Sequence, residues 1–135
     1  MLFATFDGQF RSFLEAEPTG DQRHIAEVTC REAATDLNVT VPPIRFFYDG
    51  HYSTLNGFCT ADGIAINVCR SDGDVRRVVL HEMWHWRELN RPASQRRSEE
   101  SEERWARIFE LSWPSWRKVK EGKPPRQQCT QQSTV

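Results

Sequence analysis

The chain has 135 residues, a formal net charge of −1, 38% hydrophobic residues and four cysteines. That length sets one domain with a modest core. No apolar run is long enough to cross a bilayer, and no basic segment leads into an apolar one, so a membrane protein is excluded and a non-exported, cytoplasmic protein is expected. Cys30, Cys59, Cys69 and Cys129 are widely spaced with no CxxC pair, which fits reduced thiols better than a disulfide framework.

At the N-terminus Phe3, Phe6, Phe10 and Phe13 recur at helical spacing, and the pattern predicts a short aromatic-striped helix against the core. A second helix is predicted from about Asp21 to Leu37. Pro18, Thr19 and Gly20 precede it, Ala26, Cys30, Ala33, Ala34 and Leu37 give it a small-residue face, and Asn38 can end it. Pro42 and Pro43 break the chain. Three strand candidates follow, at 44–49, 53–60 and 63–69, with "TADG" (60–63) as a hairpin turn and Gly63 free to take positive φ.

Ser71 and Asp72 can cap a helix running to about Leu89, ended by Asn90, Arg91 and Pro92. A last helix is expected from about Ser94 to Pro114. The residues beyond it are rich in Pro, Gln and Ser and predict a basic, disordered tail over 114–135, leaving 1–113 as the folded domain. Arg117, Lys118, Lys120, Lys123 and Arg126 face only Glu121 there. Solubility explains such a tail, and a nucleic-acid contact is the alternative.

The chemistry concentrates in "VVLHEMWHW" (78–86). On a helix His81 and His85 share one face and can offer two imidazoles to one metal ion, with Glu82 beside them. The surrounding Val78, Val79, Leu80, Met83, Trp84 and Trp86 suit a buried helix. A catalytic Zn²⁺ wants three protein ligands and an open position. His24 and His51 read as a helix-surface and a loop residue, so the third ligand is sought in "SEESEERWA" (98–106), which a short connection can fold back onto the histidines. Glu99, Glu103, Ala106 and Glu110 share one helical face, Glu102, Trp105 and Phe109 another, and Glu100 points elsewhere.

An HExxH helix followed by a glutamate-bearing helix resembles the gluzincin class of zinc metallopeptidases, and over residues 44–112 the chain is similar to minimal gluzincins and ImmA/IrrE-type peptidases. The resemblance implies a ligand glutamate, an acidic or amide residue four positions on and an aromatic-small pair at six and seven positions, which Glu99, Glu103, Trp105 and Ala106 match. It therefore implies His81, His85 and Glu99 as metal ligands. The gap from His85 to Glu99 is shorter than many gluzincins use, so Glu102 and Glu103 stay as rivals. It also implies that "IAIN" (64–67) lines the substrate cleft, and 63–69 is the expected edge for an added substrate strand.

The expected protein is thus an α+β, zincin-like, zinc-dependent peptidase acting on a peptide or protein substrate. In it Zn²⁺ lowers the pKa of a bound water, and Glu82 takes that water's proton and passes it to the leaving amine. Glu103 is a candidate for orienting a ligand histidine. Tyr48, His51, Tyr52 and the arginines are candidate oxyanion donors. Two other readings keep the same residues: a zinc-stabilised regulatory module without turnover, and a DNA-associated protease using the basic tail. Oligomeric state is not encoded in any pattern found.

Overall fold

A computed structural model describes residues 1–6, 9–50, 55–69 and 72–120. Their order is β1 (Leu2–Phe6), β2 (Gln9–Phe13), α1 (Gly20–Leu37), β3 (Ile44–Phe47), β4 (Gly57–Thr60), β5 (Gly63–Asn67), α2 (Asp72–Leu89), a 3₁₀ turn (Ala93–Gln95) and α3 (Glu99–Lys120). The class is mixed α+β. Among the described residues no helix is long and apolar enough to cross a membrane.

The expected N-terminal helix is a β-hairpin instead: β1 pairs antiparallel with β2, Leu2 opposite Phe13 and Phe6 opposite Gln9. The physical reason is a two-residue period beneath the aromatic one. Leu2, Ala4 and Phe13 are buried on one side, while Phe3 and Phe10 stack outside with centroids 5.4 Å apart. Hairpin pleating satisfies both sets, which a helix would mix on one stripe.

The second sheet has the order β3-β5-β4, with β3 and β5 parallel and β4 and β5 antiparallel. All five residues of β5 are buried, because it is covered on both faces. Phe46, Ile64 and Ile66 join the helical core, and Phe47, Phe58 and Ala65 join Leu2, Ala4 and Phe13 of the hairpin. Phe13, Phe47 and Phe58 meet there with centroids 5.0 to 5.3 Å apart. The outer side of β3 is closed by a bridge from Glu15 to Phe47 and by backbone bonds from Ala16 to Phe46 and from Tyr48 to Leu14. Among the described residues β4 is therefore the open edge. The expected edge, 63–69, is interior because the hairpin that leads into it lays β4 along its outer side, with Gly63 at φ 135° making the turn, while β3 pairs with its other side.

α1 begins in a capping box between Thr19 and Gln22 and ends at Asn38, whose φ of 58° closes it in the left-handed region. Its small face, Ala26, Cys30, Ala33 and Ala34, is almost fully buried with Met83 and Val79 of α2 in one cluster. Cys30, Cys59 and Cys69 are free thiols. Small residues let α1 approach closely, and Trp86 Nε1 donates to Thr40 O to tie the exit of α1 to α2. The expected cap at Ser71 and the oxyanion candidates His51 and Tyr52 lie outside the described residues, as does the tail from 121. Residues 114–120 continue α3 past Pro114. A proline there removes one backbone donor, which is not enough to end a helix whose preceding turns are anchored by Phe109 and Trp113.

Candidate metal centre

α2 is the middle of the molecule. α1 lies on one side, β4 and β5 support it, and α3 packs antiparallel along it: Arg97 meets Glu88, Glu102 and Glu103 meet His85, and Glu110 meets His81. Antiparallel packing follows from the short connection at 90–98, tightened by its 3₁₀ turn.

At the centre of this seam the ligand atoms of His81, His85 and Glu103 all lie within 4.8 Å of one another. His81 Nε2 is 3.1 Å from Glu103 Oε2, and His85 Nε2 is 2.8 Å from Glu103 Oε1. The other nitrogen of each ring is also held. His81 Nδ1 is 2.8 Å from Glu110 Oε1 and His85 Nδ1 is 2.5 Å from Glu102 Oε1. Nδ1–H donation to a carboxylate fixes ring orientation and turns both Nε2 atoms toward Glu103. Glu110 is itself held, its Oε2 accepting from Arg77 Nε at 3.3 Å.

Burial pushes the Glu82 carboxyl up to about 7, against the opposing pull of His85 and His81, and the Glu103 and Glu110 charges add to the rise. Glu82 is buried while both imidazoles are partly open. For His85, burial works against the charged ring, but the Glu102 hydrogen bond and the charges of Glu82, Glu103 and Glu102 outweigh it and raise its pKa. Burial works to raise Glu103 as well, and the two histidines outweigh it and hold that carboxyl below the usual range. Two imidazole nitrogens and one carboxylate form a donor set that suits zinc.

The histidines and Glu82 lie together where the sequence puts them. Of the expected third-ligand candidates it is Glu103, not Glu99, that stands with the histidines. Glu99 is exposed in the first turn of α3 and stands outside the group, whereas Glu103, one turn on, reaches both imidazoles. The reason is geometric: α3 starts only at Glu99, so Glu99 lies beside the connection, whereas Glu102 and Glu103, most of a turn further on, come level with His85. The contact to the far side of each ring, expected of Glu103, is made by Glu102 and Glu110. Glu110 carried a readable signal, since it falls seven residues after Glu103 on the same face. Ala106, between them, is fully buried, as close helix approach requires. His24 is exposed on α1, away from the group. Tyr48 is exposed at the end of β3.

Compared with known proteins, the chain matches no family model, no curated protein and no solved structure.

Proposed function

We propose that the protein is a zincin-like, zinc-dependent peptidase in which His81, His85 and Glu103 hold the metal and Glu82 is the general acid-base. The observation that carries this reading is the convergence of both Nε2 atoms on Glu103 while both Nδ1 atoms are held by other carboxylates. Two histidines in a core need no such arrangement, and a metal site does.

When bound, zinc supplies a Lewis acid that polarises the scissile carbonyl and acidifies water. Glu82 Oε takes the proton of the attacking water and hands it to the departing amide nitrogen. A carboxyl raised to about 7 suits both halves of that task near neutral pH. Glu102 and Glu110 keep the two rings in the tautomer that points Nε2 inward. The outer edge of β4, which pairs with no further strand among the described residues and adjoins Glu82 through Gly57, is where an extended peptide would add as a strand.

The test is zinc stoichiometry by elemental mass spectrometry of the purified protein. One zinc per chain is expected, lost in His81→Ala and Glu103→Ala and kept in Glu82→Gln, which in turn loses peptide hydrolysis. Absence of stoichiometric zinc from the wild type after zinc loading removes the reading. Zinc retained with hydrolysis unaffected by Glu82→Gln favours the regulatory module without turnover.

A further inference from the structure

We propose that Glu88 and Arg97 form a positioning clamp that fixes the register of α3 on α2 and so delivers Glu102 and Glu103 to His85. The proposal extends the metal-site reading and rests on it for its consequence, though the clamp itself is independent of any metal.

Glu88 is 1% exposed, a carboxylate enclosed in the helical layer. Its Oε2 accepts from Arg87 Nη1 at 2.7 Å, Arg91 Nη1 at 3.3 Å and Arg97 Nη1 at 3.1 Å. Arg87 and Arg91 belong to or directly follow α2. Arg97 alone comes from the segment leading into α3, so it is the tie between the two helices. Its guanidinium also lies over Trp84 of α2 and Trp105 of α3, at 5.9 and 5.3 Å from the ring centroids. Trp84 stacks with Trp105 at 6.4 Å and tilts against Phe109 at 5.5 Å. Arg96, the next residue back, donates to the carbonyls of Arg91 and Leu89 at the end of α2.

The order of these contacts gives them their function. Into and along α3 the sequence runs Arg97, then Glu102 and Glu103, then Trp105. Along α2 it runs Trp84, His85, Glu88. The metal-facing pair is thus held from both sides, by Arg97 on Glu88 and by Trp105 on Trp84. A slip of one residue would turn α3 by about 100° and shift it by about 1.5 Å, taking Glu102 off His85 Nδ1. Mere stability does not call for this arrangement. A buried carboxylate with three arginines is often matched or bettered by apolar side chains, and among the described residues Glu88 Oε1 accepts no hydrogen bond. Directionality is what an ion pair adds.

Arg97→Met is the clean variant, because Arg87 and Arg91 still pair Glu88. Two readouts are taken on the full chain. In metal-free protein, the low-field proton NMR signal of His85 Nδ1–H bonded to Glu102, assigned by its loss in Glu102→Gln, is expected to vanish or move upfield. In zinc titrations the variant binds about tenfold more weakly. Helicity by circular dichroism stays at the wild-type level, and Arg97→Lys recovers part of both readouts. Glu88→Gln gives the same pair of losses and carries the test alone should Arg97→Met not fold. Arg104→Met, which removes only an exposed partner of Glu100 on the same helix, changes neither. Wild-type signal and wild-type zinc affinity in folded Arg97→Met would overturn the clamp. Loss of the proton signal in a protein whose wild type takes no zinc would support the clamp while removing the metal reading.

Discussion

Gly57 of β4 lies directly against Glu82 of α2: a Cβ built on the glycine would stand 3.4 Å from Glu82 Cγ, 2.8 Å from Val78 Cγ1 and 2.7 Å from Ala65 O. Two of those neighbours belong to the helix and one is backbone of the adjoining strand, so none is a loose side-chain end. Gly57→Ala is therefore expected to displace the edge strand from the helix at the position of the proposed acid-base. The cost in stability is about 1–3 kcal/mol by chemical denaturation. If β4 receives the substrate, hydrolysis falls further than the loss of folded protein accounts for. A variant of wild-type stability would show that β4 does not sit this close to α2.

Glu103 and Glu99 are separated by one helical turn and differ in what they touch. Glu103 bridges both imidazoles, and Glu99 is exposed. Glu103→Ala should abolish zinc binding at micromolar metal, Glu99→Ala should leave it within about twofold, and Glu102→Ala should weaken it by about 10–100-fold through the orientation of His85. Competitive titration against a chromogenic chelator ranks the three. A stronger effect from Glu99 than from Glu103 would return the site to the ligand set that the resemblance implies.

The pH dependence of the zinc-free protein has a definite sign. Glu82 has a folded pKa raised by burial to about 7, above its unfolded value of 4.5, so the folded state binds more protons between those values. The stabilisation from its neutral form is complete below 4.5 and is lost as pH rises through about 7, a change on the order of 3 kcal/mol. His85, also raised, has the same sign. Glu103 is lowered and acts at the acid end, where its contribution disappears as pH falls through its folded pKa. Urea denaturation of zinc-free protein from pH 4.5 to 8 should show stability falling with pH, and Glu82→Gln should flatten most of that slope. An unchanged slope would place Glu82 in contact with solvent.

How much of this the sequence shows depends on the range of the determining contacts. α1 and α2 announce themselves within a few residues, through Thr19 and Gln22 at one end, Asn38 at the other, and the apolar run around His81. The hairpin does not, because Phe3, Phe6, Phe10 and Phe13 fit a helical spacing as well as a strand, and the decision lies with Phe47 and Phe58 far along the chain. The stronger local clue was Asp7-Gly8, a dipeptide that favours hairpin turns and falls between β1 and β2 in sequence. The expected edge at 63–69 missed for a related reason: strand order depends on pairing, and Ile64 and Ile66 read equally well as edge or interior. The histidine pair was legible because helix geometry fixes it locally. The third ligand was not, since choosing among Glu99, Glu102 and Glu103 requires the pitch and start of α3, which Arg97, Trp105 and Glu88 set through contacts between helices.

Glu110 provides the last test, because its carboxylate has a side-chain partner beyond the histidines. It joins His81 Nδ1 at 2.8 Å to Arg77 Nε at 3.3 Å, a relay that crosses from α2 to α3 and back. Glu110→Gln keeps the shape and removes the charge, so His81 Nδ1–H meets a weaker acceptor and Nε2 becomes less basic. Zinc affinity is expected to drop by about tenfold. Arg77→Met removes only the outer partner, whose side chain is 55% exposed, and should cost less than about 1 kcal/mol. The double variant should bind zinc no more weakly than Glu110→Gln alone, since Arg77 acts on the metal through Glu110. Additive losses would instead give Arg77 a separate route to the site, and equal affinity in all four proteins would leave His81 oriented by its packing on α2 and not by Glu110.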